Sequence, residues 1–121
     1  MRLTLHPEGL APRIANLAAW RAHLLERLRR DLEATGDRRL AELMAELAAY
    51  PAPAGRPPAP AFAGVAVPFQ LMTPGGVLSF YSTTTVFGTP VDVTLSELTL
   101  ESFFPADEPT AAALRAIAAA L

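Results

Sequence analysis

Val65-Ala66-Val67-Pro68-Phe69-Gln70-Leu71-Met72, then Thr73-Pro74-Gly75-Gly76, then Val77-Leu78-Ser79-Phe80-Tyr81-Ser82-Thr83-Thr84-Thr85-Val86-Phe87 read as strand, turn and strand. The second run is dense in β-branched and aromatic residues, which suit a pleated, half-buried surface. The Pro and Gly residues between the runs have the backbone preferences of a hairpin turn. Gly88-Thr89-Pro90 turns the chain again, into a third strand where Val91, Val93 and Leu95 share one face. Leu98 and Leu100 fall on the other parity, and a bulge near Ser96-Glu97 would return both sets to the core face. A three-stranded antiparallel meander over residues 65–104 is therefore expected.

Outward from the meander the hydrophobic period changes. Ile14, Leu17, Leu24, Leu25, Leu28 and Leu32 recur at spacings of three, four and seven, the signature of one helix face. Asn16 is expected to cap a helix over about residues 17–34, and Gly36 to end it in the left-handed conformation. Asp37 then caps a second helix carrying Leu40, Leu43, Met44 and Leu47 on one side. So short a connection makes the two helices antiparallel. Residues 51–64, Pro-Ala-Pro-Ala-Gly-Arg-Pro-Pro-Ala-Pro-Ala-Phe-Ala-Gly, favour an extended linker. Beyond the meander Pro105 ends the sheet, Asp107 caps, and Thr110 to Leu121 form an Ala-rich helix. The expected fold class is α+β: a helical hairpin over 1–50, the linker, the meander and a closing helix over 105–121, together a single domain.

Composition narrows the function. Half of the 121 residues are hydrophobic and 18% are charged, so general disorder is excluded. A net charge of −2 exerts no global pull on nucleic acid. Without cysteine there is no disulfide, thiolate nucleophile or thiolate-held metal. The N-terminus has no apolar signal-peptide core, and Pro57, Pro58, Pro60, Pro68 and Pro74 interrupt the uncharged run after Arg56. A cytoplasmic protein outside the membrane is the expectation. All ten basic residues are Arg, and with abundant Ala and Pro this reads as a GC-rich bacterial genome.

The meander also carries a resemblance. Val67-Pro68-Phe69-Gln70-Leu71-Met72-Thr73-Pro74-Gly75-Gly76, Leu78-Ser79-Phe80-Tyr81-Ser82-Thr83 and Phe87-Gly88-Thr89-Pro90-Val91-Asp92-Val93-Thr94-Leu95 resemble MmyB-like transcription regulators. So do Glu97-Leu98, Glu101-Ser102-Phe103-Phe104-Pro105-Ala106-Asp107 and, in the first half, His6-Pro7, Ala11-Pro12-Arg13-Ile14, Asn16, Trp20 and Leu24-Leu25 to Arg29-Arg30. The resemblance implies a PAS-like ligand-binding domain, a sheet covered by helices around an apolar pocket for a fatty acid or another small apolar molecule. In that family the domain follows a DNA-binding helix-turn-helix. This chain is expected to lack that segment and to begin inside the sensory domain, so direct DNA binding by it is not expected. Gln70 and Met72 stand where relatives are expected to carry basic residues, which weakens any contact there to an acidic head group.

The remaining motifs favour structure over chemistry. His6 and His23 lack the further ligand and spacing of a zinc site. Ser82-Thr83-Thr84-Thr85 has no adjoining base or Gly-framed elbow and reads as strand. Thr73-Pro74-Gly75-Gly76 lacks the Lys and following helix of a phosphate loop. Arg27, Arg29, Arg30, Arg38 and Arg39 alternate with Glu26, Asp31, Glu33, Asp37 and Glu42, as on a solvated helix face. The aromatics Trp20, Phe69, Phe80, Tyr81, Phe87, Phe103 and Phe104 are core candidates that could also line a pocket or a dimer face.

The expected function is therefore a sensory domain without catalytic residues, cofactor or metal. Its ligand should lie between sheet and hairpin against Trp20, Phe69, Leu71, Phe80, Phe87 and Leu95. A stand-alone interaction module is the alternative. A small α+β enzyme is a third reading, disfavoured because Asp92, Glu97 and Glu101 are the only acids in the sheet and alternation should turn most of them from the apolar face. A homodimer is expected, since a truncated sheet leaves an edge to pair and Trp20 is expected to be partly exposed off the Leu24-Leu28 line. Leu3-Thr4-Leu5, folded back as an edge strand, would relieve that need.

Overall fold

The computed structural model describes residues 1–51, 66–86 and 99–121. Along them run a single helical turn α1 (Arg2–Leu5), a 3-10 turn (Ala11–Arg13) and the helices α2 (Leu17–Thr35) and α3 (Arg38–Ala49). The strands β1 (Phe69–Thr73), β2 (Gly76–Val86) and β3 (Thr99–Pro105) follow, then helix α4 (Glu108–Ala120). The fold class is α+β, as the sequence implies. The described sheet is antiparallel in the order β1-β2-β3, with Phe69 opposite Phe80 and Ser82 opposite Phe103.

The hairpin forms where the apolar spacing and the caps agree. Gly36, at φ 66°, ends α2 in the left-handed region, where a side chain would be strained, and donates to the Leu32 carbonyl at 2.7 Å. The Asp37 carboxylate then accepts the Arg39 N–H at 2.9 Å and starts α3. Arg21 at the start of α2 donates to the Ala48 carbonyl at the end of α3, so the helices run antiparallel. Trp20, Leu24 and Leu28 share one stripe of α2 with Leu47 of α3 at the same core. Trp20 is only 3% exposed, against the expectation of a partly open ring. A four-residue step advances 400°, only about 40° off a full turn, so Trp20 stays on the Leu24 face.

Asn16 occupies the N-cap position of α2 but makes no capping hydrogen bond. Its amide reaches the sheet, donating from Nδ2 to the Pro68 carbonyl at 2.8 Å and accepting the Gln70 N–H at 3.3 Å. The Ala15 N–H donates to the Gln70 carbonyl at 2.9 Å, and Ile14 bridges to Leu71. The segment before α2 thus pairs with the outer edge of β1. Leu3-Thr4-Leu5, the alternative that would have closed an edge as a strand, lies in α1 instead.

The third strand departs from expectation where it can be followed. Residues 91–98, with the expected bulge, lie outside the described residues, as does the Pro-rich linker from 52 to 65. Leu100 pairs with Thr85 and is 52% exposed, so it does not reach the core face. Pro105 ends β3 opposite Phe80, and the next hydrogen bonds along β2 come from Ala106 and from Thr110 in the first turn of α4. Ala106 donates to the Ser79 carbonyl at 2.8 Å, and the Thr110 hydroxyl accepts the Ser79 N–H at 2.9 Å. Asp107 caps α4 through the Thr110 N–H at 2.8 Å, and the helix begins two residues earlier than expected, with Pro109 in its first turn.

Candidate ligand cavity

Strand alternation puts Phe69, Leu71, Phe80, Ser82, Glu101 and Phe103 on one sheet face, because cross-strand partners project together. The core formed with the hairpin takes up Phe69, Leu71 and Phe80 from that face. The packing is incomplete. A cavity of about 270 Å³ remains, open to solvent and walled by Trp20 and Leu24 of α2, Phe69, Phe80 and Phe103 of the sheet, and Met1, Thr4 and Leu10. Phe69 lies 5.2 Å from Trp20, 6.4 Å from Phe80 and 6.2 Å from Phe103 between ring centroids. Phe80 and Phe103 meet edge to face at 6.4 Å. Such rings attract at these separations but do not interlock, and four of them around one point leave space at the centre.

The N-terminal wall is held from two sides. Arg2 pairs with Glu46 of α3 at 2.8 Å, and the Tyr50 hydroxyl donates to the same carboxylate at 2.6 Å. The Tyr50 hydrogen bond, then that of Arg2, holds the Glu46 carboxyl below its ordinary range, and the shared bond raises the Tyr50 hydroxyl. Leu10 donates to the Leu3 carbonyl at 3.0 Å, with Gly9 pressed against it so closely that a Cβ there would lie 2.2 Å from the Leu3 oxygen. Glycine is the residue this approach admits.

The wall carries little charge. His23 stacks on Trp20 at 5.4 Å without lining the cavity, and partial burial, then the nearby Arg27 and Arg30, push its pKa down. The Trp20 indole N–H is buried without a partner. Glu101 is the exception, paired at 3.7 Å with Arg27 of α2. Alternation was expected to turn most of the sheet acids away from the apolar face; it sets Glu101 on the cavity side, two residues from Phe103. Among the described residues no three His, Asp or Glu side chains converge on a metal position.

Of the site residues read from sequence, Trp20, Phe69 and Phe80 meet at the cavity. Leu71 is packed in the core near Ile14 and does not line it. Phe87 and Leu95 lie outside the described residues. Leu24 and Glu101 were not read as lining residues and Phe103 only as one of several aromatics that could line a pocket, although the two-residue spacing of Glu101 and Phe103 places them on one strand face. Gln70 and Met72 fall on the opposite parity from Phe69 and Leu71, so neither position meets the cavity.

A sheet and a helical hairpin around an open apolar cavity have the form of a small-molecule site. The family model for the MmyB-like transcription regulator ligand binding domain matches residues 1–117, and the chain belongs to that family. It is thus a ligand-binding domain of a kind found in transcription regulators, not a member of an enzyme family. No curated protein and no solved structure matches it. Among the described residues no helix is long and apolar enough to cross a membrane.

Proposed function

We propose that the chain senses a small apolar or fatty-acid-like molecule, taken into the cavity between hairpin and sheet, in the cytoplasm. The observation that carries this reading is the aromatic cavity itself, in a member of a ligand-binding family. Its 270 Å³ stands just below the usual range of ligand sites, from about 300 Å³, and above the ~150 Å³ apolar void that takes up benzene. Trp20, Phe69 and Phe80 supply the contact surface. Leu71 supports it from the core, and Phe87 and Leu95 belong to the same proposed site. Occupancy would act by favouring one arrangement of hairpin and sheet over another. Helices packed on a sheet around such a cavity support a PAS-like, single-domain reading. Native mass spectrometry of the purified chain should show a co-purifying apolar adduct or uptake of an added one. A mass that stays at 12.9 kDa per chain with every apolar molecule offered would contradict the reading.

A second copy is the proposed partner. β3 presents Leu100, Phe103 and Phe104, each about half exposed, and pairs among the described residues with β2 alone. Pairing between copies would cover that surface with closed symmetry. Light scattering should give twice the chain mass, and a monomer at micromolar concentration would exclude it. Specific duplex DNA binding is not expected of this chain, and a gel shift on one sequence that survives salt and scrambled competitor would overturn that.

A further inference from the structure

The cavity wall is of two kinds. Trp20, Leu24, Phe69 and Phe80 belong to α2 and the sheet, whose packing holds them at the core. Met1 and Thr4 come from the N-terminal segment, where α1 is a single turn of four residues. So short a turn does not hold itself in place, and its position depends on what ties it down. Leu5, 2% exposed, anchors its C-terminal end in the core. The Leu10 N–H bond to the Leu3 carbonyl joins it only to residues of the same segment. Near its other end the Arg2 Nε donates to both Glu46 carboxylate oxygens, at 2.8 and 3.1 Å, and the Tyr50 hydroxyl steadies that carboxylate. With Arg2 65% and Glu46 37% exposed, this pair is open to water and is the weaker tie.

An apolar chain gains free energy from each methylene it takes out of water, so one longer than the space is driven to enlarge it. The cavity, at about 270 Å³, is less than about twice the ~150 Å³ void that holds benzene. A six-carbon chain is close to benzene in bulk and fits, whereas a twelve-carbon chain is about twice that and does not. Making room by moving the rings would break the core. Lifting residues 1–4 about Leu5 breaks one exposed ion pair and one helical turn. We propose that α1 is the movable wall of the cavity and that Glu46, by latching Arg2, sets the length of apolar ligand the closed cavity admits. A ligand above that length binds with the latch open, so its occupancy becomes release of α1 from α3. The inference rests on the cavity being the ligand site and names its moving part.

Trp20, the sole tryptophan, lies on the wall and reports occupancy by its fluorescence. Hexanoate and dodecanoate, each below its micelle concentration, are titrated into the wild-type chain, Glu46→Gln and Arg2→Gln. The two acids share a head group, so charge at the mouth acts on both alike. Either substitution should tighten dodecanoate by about threefold to fivefold, the scale of an exposed ion pair, and leave hexanoate unchanged. A nitroxide on Leu3→Cys, an exposed position in a chain without cysteine, should gain mobility with dodecanoate and not with hexanoate. Equal effects on the two acids, no effect on either, or a label that bound dodecanoate leaves unmoved would overturn the inference while leaving the cavity in place. Failure of both acids to bind the wild type would remove the ligand cavity, and this inference with it.

Discussion

Phe80 and Ser79 are neighbours on β2, yet they are buried by opposite means. Phe80 projects toward the hairpin, where rings from four elements meet loosely around a cavity. Ser79 projects the other way and is buried where the start of α4 meets β2, in a closed set of hydrogen bonds. Its backbone bonds Thr110 and Ala106, the Asp107 carboxylate accepts the Thr110 N–H, and the Gln70 amide lies 3.5 Å from the Ser79 hydroxyl. Apolar rings place few directional demands on their neighbours, so they can stop short of filling space. Buried polar groups cost free energy unless each is paired, which leaves this set one workable arrangement. The cavity lies on the side of β2 where the contacts have no fixed direction.

The largest loss of stability is expected in the filled part of the core. Leu47 is fully buried, and Leu47→Ala should cost about 3 kcal/mol in urea unfolding. Thr110→Val keeps the shape of another fully buried side chain but strands the Ser79 N–H. The expected loss is about 2 kcal/mol, with Thr110→Ser losing clearly less. Phe80→Ala should cost only about 1–2 kcal/mol, below the 3–5 typical of a fully packed Phe, because its ring already borders a void. A loss as large as that of a packed ring would mean that the wall is ordinary core.

How much of this was legible in the sequence follows the same division. Gly36 and Asp37 have one local use each, and the hairpin they delimit was legible to within a residue. Asn16 has two uses, since an amide that can cap a helix can equally pair with a strand, and only the position of Pro68 and Gln70 decides between them. Parity within β3 was readable, but the expected bulge pushed Leu100 inward and obscured that Glu101 accompanies Phe103. That Trp20, Phe69 and Phe80 face inward was legible because large rings on inward faces have few other places to go. The cavity between them was not, since an unfilled volume depends on distances that no residue encodes alone.

The smallest expected effect concerns acid. Hydrogen bonds from the Thr110 side chain, then its backbone N–H, and from Ser79 depress the Asp107 pKa. A depressed carboxylate contributes stability that is present above its unfolded value, about 4, and is lost as pH falls through the lower folded value. Asp107→Asn should therefore flatten the acid limb of the stability profile, while Glu101→Gln leaves the Asp107 share of that limb in place. An unaltered acid limb in Asp107→Asn would mean that the polar set around Ser79 does not hold together in solution.

The account turns on whether the space beside Trp20 is a binding site. Thr4 lines it, part-buried on α1, and Thr4→Phe would place a ring in the space while leaving every residue of the α2 core stripe unchanged. The direct measurement is the binding of an apolar fluorophore such as aminoanthracene to the wild type and to Thr4→Phe, with far-ultraviolet circular dichroism confirming that both are folded. The account predicts saturable binding at one site per chain in the wild type and at least about tenfold weaker binding in the filled variant. Equal binding by the two folded proteins would contradict it.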